Sequence, residues 1–311
     1  RLLHSGRNCL WSGTLFLHPM TPTTPFPDTS PSGLSIPDFI RQALAEDIGD
    51  GDHTSLSTIP ADKQGKALVR VKQDGIIAGL VLADQILNTV DPTVIVKVLS
   101  NEGQSVSNGT VVMEVEGAVR SLLMAERLLL NCMQRMSGIA TMTRQFVEAV
   151  AGTGAIILDT RKTTPNFRLF EKWAVLLGGG QNHRFGLFDM ILIKDNHVDA
   201  AGGIRPAIRR ANDYLRSTGR QLPIEIETRN AAEVEEVLAE GNVQRIMLDN
   251  FTTTDLQAAV ARIAGRFETE ASGGINLQTV RGFAETGVQF ISVGALTHSY
   301  RSLDISMKIL R

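Results

Sequence analysis

Arg161, Lys162, Arg168, His183, Arg184, Lys194 and His197 all fall in one run, DTRKTTPNFRLFEKWAVLLGGGQNHRFGLFDMILIKDNH, from Asp159 to His197. Guanidinium and ammonium groups at this density are suited to binding anions. Each charge-assisted hydrogen bond to a carboxylate or phosphate contributes about 1.5–3 kcal/mol. The formal net charge of the 311-residue chain is only -2, so these cations are a local concentration. A solvated basic face is the plainer alternative, but such a face rarely alternates with GGG, ILI and paired histidines.

Further along stand Glu227 and Asp249, each closing an apolar run. Two hard carboxylates suit Mg²⁺, particularly Mg²⁺ carried in by a polyphosphate. They can equally pair with the neighbouring cations, and both uses hold if metal arrives with substrate. Ser272-Gly273-Gly274 and Gly294-Ala295 suit a phosphate held by backbone N–H groups, because a Cβ would block close approach. No nucleophile stands out. There is no G-x-S-x-G, and neither Cys9 nor Cys132 lies near a strand end.

These residues must be positioned by the elements around them. From Ala155 the chain alternates strand-like runs (AIILDT, DMILIKD, PIEIET, VQRIMLD, RFETEAS, VQFISVG) with helical ones (AIRRANDYLR, AAEVEEVLAE, TTDLQAAVARIA, NLQTVRGFAET). Repeated βα units imply parallel strands, right-handed crossovers and a closed α/β barrel. The strand ends carry Arg161, Lys194, Glu227, Asp249, Ser272 and Gly294, one per unit, at the face where barrel enzymes place their sites. Three subsites follow: cationic (Arg161, His183, Arg184, Lys194), acidic (Glu227, Asp249) and phosphate-binding (Ser272 to Gly274, Gly294). A dicarboxylate, a metal-bound pyrophosphate and a sugar phosphate together suggest transfer from phosphoribosyl pyrophosphate. Its oxocarbenium-like transition state needs positioning and electrostatics more than a nucleophile.

Before the barrel, Ser35 is a good N-cap for IPDFIRQALAEDI, with Pro37 in the first turn. Asp47, Asp50, Asp52 and His53 resemble metal ligands, but short polar turns explain them better. A hairpin around Asp74-Gly75, a helix VLADQILNTV, strands TVIVKVLS and TVVMEVEG, and a long helix from Ala118 to about Ala151 complete a small α+β domain. In that helix Arg127, Asn131 and Gln134 share one polar face. The predicted organisation is a disordered or spurious extension over 1–34, an N-terminal α+β domain over 35–135, a barrel over 136–297 and a helix over 298–311 packing back. Hydrophobic residues make up 43%, charged residues 21% and aromatics 5%, which gives no footprint for nucleic acid. No apolar run approaches the ~20 residues of a membrane span. Two cysteines in unrelated contexts point to a reducing, cytoplasmic setting.

ERLLLNCMQRMSGIAT, the DTRKTTP…NHR…LIKDNH run, IEIE, MLDNF, EASGGI and SVGALTHS resemble quinolinate phosphoribosyltransferase, the carboxylating type of nicotinate-nucleotide pyrophosphorylase, from about Ser35 to the C-terminus. The resemblance implies a small N-terminal α+β sandwich domain and an open seven-stranded, TIM-like α/β barrel. It further implies a homodimer or larger assembly whose active sites are shared between subunits, and Mg²⁺ as cofactor. The implied reaction joins quinolinate to phosphoribosyl pyrophosphate, giving nicotinate mononucleotide, pyrophosphate and CO₂. Arg161, His183 and Arg184 would bind the quinolinate carboxylates with Lys194 beside them, and Arg127 would reach over from the neighbouring subunit. Lys162 would touch quinolinate and pyrophosphate. Glu227 and Asp249 would hold Mg²⁺ and the ribose hydroxyls. Ser272, Gly273, Gly274, Gly294 and His298 would hold the 5′-phosphate. Lys162, Lys194, Glu227 and Asp249 form the implied catalytic set. Asn166 stands where the family has Gly, and Asn tolerates positive φ. Two other readings are a phosphoribosyltransferase for a related pyridine carboxylate and a non-catalytic anion-binding barrel.

Overall fold

The computed structural model describes residues 31–33 and 35–310, so the expected extension over 1–34 lies almost wholly outside the described residues. Ser35 caps α1 (Ile36–Ile48) by accepting from the Asp38 N–H, and Asp52 caps α2 (His53–Thr58) by accepting from the Ser55 N–H. The acidic loop is therefore turn and cap chemistry, as its residue types imply. The rest of the N-terminal part runs β1 (Gln64–Val71), β2 (Gly75–Ile76), α3 (Leu80–Val90), β3 (Ile95–Val98), β4 (Ser105–Val106), β5 (Val111–Ala118) and α4 (Val119–Ala149).

Two expectations are corrected here. Asp74-Gly75 does not join a hairpin: β1 pairs with β5, whereas β2 pairs with β4 in a separate small ladder. The chain is drawn aside because the Ile76 N–H donates to Thr141 Oγ1 on α4. The C-terminal segment is also not a helix. Ile305–Ile309 form a strand, β12 below, antiparallel to β1 in the sheet order β12-β1-β5-β3. Its side chains alternate between buried Ile305 and Met307 and more exposed Ser306 and Lys308, a period of two that only a strand satisfies. Gln134 anchors the return: its Nε2 donates to Ile305 O at 2.7 Å.

The barrel runs β6 (Ile156–Leu158), α5 (Arg168–Leu177), β7 (Ile191–Ile193), α6 (Asp195–Ala201), α7 (Ile204–Thr218), β8 (Ile224–Thr228), α8 (Ala231–Glu240), β9 (Arg245–Asp249), α9 (Thr253–Ile263), β10 (Glu268–Ser272), α10 (Val280–Ala284), β11 (Phe290–Ser292) and α11 (Ala295–His298), after which the chain returns to the first sheet as β12 (Ile305–Ile309). All strands from β6 to β11 are parallel, in the order β6-β11-β10-β9-β8-β7. The seventh stave is a single parallel bridge from Gln181 to Leu158, and among the described residues nothing pairs it with β7. The barrel is thus open between Gln181 and β7. β8 is buried along its whole length, as a central parallel strand covered on both faces must be.

Candidate active site

Glu227 is the penultimate residue of β8, and Asp249 and Ser272 close β9 and β10 as register partners. Lys194 follows β7 directly, and Arg161 and Gly294 lie just beyond β6 and β11. All six expected residues therefore meet at one end of the barrel. Lys194 Nζ lies 3.4 Å from Glu227 Oε2. Burial pushes the Glu227 carboxyl above its ordinary range; Lys194 opposes the shift and Asp249 adds to it. His197 Nδ1 accepts the Lys194 backbone N–H at 2.9 Å, so it shapes the turn that presents Lys194.

The glycines at two strand ends are required by space. Gly273 has φ +105°, and a Cβ there would sit 2.2 Å from Asn250 Oδ1. At Gly294 a Cβ would sit 3.0 Å from both Lys162 Cδ and His298 Nε2, so this glycine lets those two side chains converge. Gly274 also takes positive φ, +61°. Asn166 adopts φ 62°, the left-handed conformation its residue type permits.

The cations have few acids of their own. Among the described residues Arg161, Lys162 and Arg184 form no ion pair, although nearby Lys172 and Lys194 do. Arg161 Nε is buried without a hydrogen-bond partner. Arg184 is buried, and burial followed by the repulsion of Arg161 lowers its guanidinium pKa. Asp189 and Glu225 offset that shift only in part. Two arginines that repel each other and form no ion pair are strongly disposed toward an incoming anion. Arg127 lies exposed on α4, joined to none of the strand-end residues by a hydrogen bond or ion pair.

Helix α5 supports both loops of the cationic subsite. Two consecutive charges in its apolar sequence, Glu171 and Lys172, are buried. Glu171 accepts from Arg135 Nε at 2.8 Å and from the Thr164 N–H at 3.1 Å, which fixes the loop after Arg161. Lys172 Nζ donates to Asp159 Oδ1 at 2.5 Å and His183 O at 3.0 Å, while Asp159 also accepts the His183 N–H. Arg168 donates to Thr163 Oγ1 and Phe185 O, tying the two loops together.

His183 lies against two buried carboxylates. Its ring turns into the barrel lumen, with Nε2 2.9 Å from Glu225 Oε2 and 3.5 Å from Glu270 Oε1, and Nδ1 accepts the Arg184 N–H at 2.7 Å. Nδ1 is thus engaged, whereas Nε2, though close to both carboxylates, has no well-aligned hydrogen-bond partner. Asp159, Glu171, Lys172, Glu225, Arg245 and Glu270 escape a reading based on cationic motifs. Their signal was polarity at buried positions: glutamates inside strand runs, and a Glu-Lys pair inside an apolar helix.

Fold and site together define a barrel enzyme acting on carboxylated, phosphorylated substrates, carried on a parallel sheet and capped by a sheet-and-helix domain. Residues 52–137 match the model of the quinolinate phosphoribosyl transferase N-terminal domain, and residues 139–308 that of its C-terminal domain. The chain belongs to the quinolinate phosphoribosyltransferase family. It is 49% identical over 285 residues to the chloroplastic nicotinate-nucleotide pyrophosphorylase [carboxylating] of Arabidopsis thaliana, covering 87% of this chain and 81% of that one. Quinolinate phosphoribosyltransferase [decarboxylating] 1b of Nicotiana tabacum is 48% identical at the same coverages. The crystal structure of NadC from Streptococcus pyogenes aligns with a TM-score of 0.84 at 40% identity, over 89% of this chain and 97% of that one.

Proposed function

We propose that the protein transfers the phosphoribosyl group of phosphoribosyl pyrophosphate to quinolinate, releasing pyrophosphate and CO₂ and leaving nicotinate mononucleotide. The observation that carries this reading is Arg161, whose Nε is buried without a partner, beside the buried Arg184, at the mouth that also presents Glu227 and Asp249. Arg161 and Arg184 would hold the two ring carboxylates, with Lys194 alongside. Lys162 and His298, converging over Gly294, would take phosphate oxygens, joined by the N–H groups of Ser272 to Gly274.

The pyridine nitrogen attacks the anomeric carbon as the bond to pyrophosphate breaks. The ribosylated ring is cationic, so the adjacent carboxylate leaves as CO₂ and the ylide carbon then takes a proton. The arginines retain the other carboxylate throughout, which makes positioning and charge complementarity the main catalytic contributions. Glu227 and Asp249 fit a divalent cation, since burial and their mutual repulsion raise the Glu227 carboxyl and a cation would relieve both. Mg²⁺ bound there would neutralise the leaving pyrophosphate.

We extend the proposal to an assembly in which Arg127 of each subunit serves its neighbour's site, supported by its exposure and lack of a partner on α4. A reducing, cytoplasmic setting belongs to the same proposal, in keeping with only two cysteines in unrelated contexts along the sequence. The plant relatives are named as chloroplastic or mitochondrial, and no helix of the described residues is long and apolar enough to cross a membrane. Pyrophosphate release measured with quinolinate and with nicotinate tests the reading. Release with quinolinate alone is expected, and equal release with nicotinate would assign the pocket to a monocarboxylate.

A further inference from the structure

The barrel lumen beneath the strand ends is charged. Period-two alternation puts Glu225 below Glu227 on β8, Arg245 below Met247 and Asp249 on β9, and Glu270 below Ser272 on β10. Glu225 and Glu270 are both wholly buried. Arg245 Nη1 lies 2.9 Å from Glu270 Oε2, with its guanidinium also 3.0 Å from Glu268 and over the Phe290 ring. Both oxygens of Glu225, the Oε1 of Glu270 and the Nε2 of His183 lack a well-aligned partner, an expensive arrangement in a dry interior.

The hydrogen bonds indicate how the layer is satisfied. Burial opposes a charge on His183, and the two glutamates favour one strongly enough to raise its affinity for a proton. Yet Nδ1 already accepts the Arg184 N–H, so its lone pair is in use and the ring proton lies on Nε2, facing Glu225. The path of close contacts runs from Arg245 to Glu270, from the Glu270 and Glu225 carboxyl groups to His183 Nε2, and from Nδ1 by a hydrogen bond to the Arg184 peptide.

We propose that Glu225 and Glu270 are positioning residues: acting through His183, they fix the Arg184 peptide and so aim the guanidinium that receives a quinolinate carboxylate. The inference rests on the proposed substrate but adds residues that never touch it. The three ligand atoms of His183, Glu225 and Glu270 lie within 4.8 Å of one another, as a buried metal site would require. Arg245 beside Glu270 already supplies the positive charge, which favours the hydrogen-bonded layer.

Quinolinate affinity by calorimetry and steady-state KM and kcat distinguish the possibilities for wild type, Glu270→Gln and Glu270→Ala. Gln retains a neutral donor and acceptor at the same length, so its affinity should stay within about threefold of wild type. Ala leaves Glu225 and the ring unsupported, so quinolinate should bind about tenfold or more weakly, with KM for phosphoribosyl pyrophosphate within twofold. If the Ala chain does not fold, Glu270→Asp carries the same test, because it withdraws the carboxyl by one methylene. Unchanged quinolinate affinity in a folded Ala or Asp variant overturns the proposal, as does a Gln variant as weak as Ala. One equivalent of Zn²⁺ or Mn²⁺ in the purified wild type that Glu270→Gln removes would reassign the trio as a metal site. A wild type that binds no quinolinate overturns the substrate reading, and this inference with it.

Discussion

Arg161 is where the site depends most on a single side chain. Its Nε is buried with no acceptor, and its charge disturbs Arg184. Arg161→Ala should leave the far-UV spectrum and unfolding midpoint near wild type. It should lower kcat/KM for quinolinate by about 10²–10⁴, the equivalent of two charge-assisted bonds. Arg161→Lys should recover little, because a point charge cannot form the two-pronged contact. Appreciable activity in the alanine variant would remove Arg161 from the site. Glu270 provides a pH test at the same scale. Burial and the neighbouring Glu225 push its carboxyl up to about 7, above its ordinary value. The folded state then binds more protons than the unfolded one between the two values. The contribution to stability is full below the unfolded pKa and is lost as pH rises through about 7. Glu270→Gln should flatten that decline in chemical denaturation run from pH 5 to 8, and an unaltered slope would assign the decline elsewhere.

Helix α5 carries more of the site than its apolar sequence suggests. Lys172 and Asp159 are a wholly buried ion pair that also holds the His183 backbone. Removing one partner strands the other charge, so Lys172→Met should destabilise the protein by about 3–5 kcal/mol. Lys172→Met with Asp159→Asn should recover part of that loss, measured by denaturant unfolding. The strand ends were legible beforehand because βα alternation places them by periodicity alone, and Glu227, Asp249, Ser272 and Lys194 lie where that pattern put them. The support was not legible. A Glu-Lys pair in LFEKWAVLL reads as surface charge unless the burial of that face is known, and Glu225 was hidden within an ordinary strand run. β12 was misjudged for a related reason: five residues are too few to separate periods of two and 3.6, and the pairing edge on β1 is remote in sequence. The carboxylates beside the His183 ring were likewise not legible, because they come from strands remote in sequence.

For the whole molecule, the open seam between Gln181 and β7 and the exposed Arg127 on α4 set the questions of assembly. If each site borrows Arg127 from a neighbour, Arg127→Ala and Arg161→Ala homodimers should both be nearly inactive. Unfolding and refolding them together should restore activity at about one quarter of the sites, since half the dimers are mixed and each has one intact site. No recovery in mixed dimers confirmed by mass would mean that Arg127 does not serve the neighbouring subunit's site. The central claim concerns the reaction itself. Quinolinate labelled with ¹³C in the 2-carboxyl group, incubated with phosphoribosyl pyrophosphate and Mg²⁺, reports it directly. All of the label should leave as CO₂, one equivalent per pyrophosphate, with an unlabelled mononucleotide product. Label retained in the product, or pyrophosphate released without CO₂, would contradict the decarboxylating transfer.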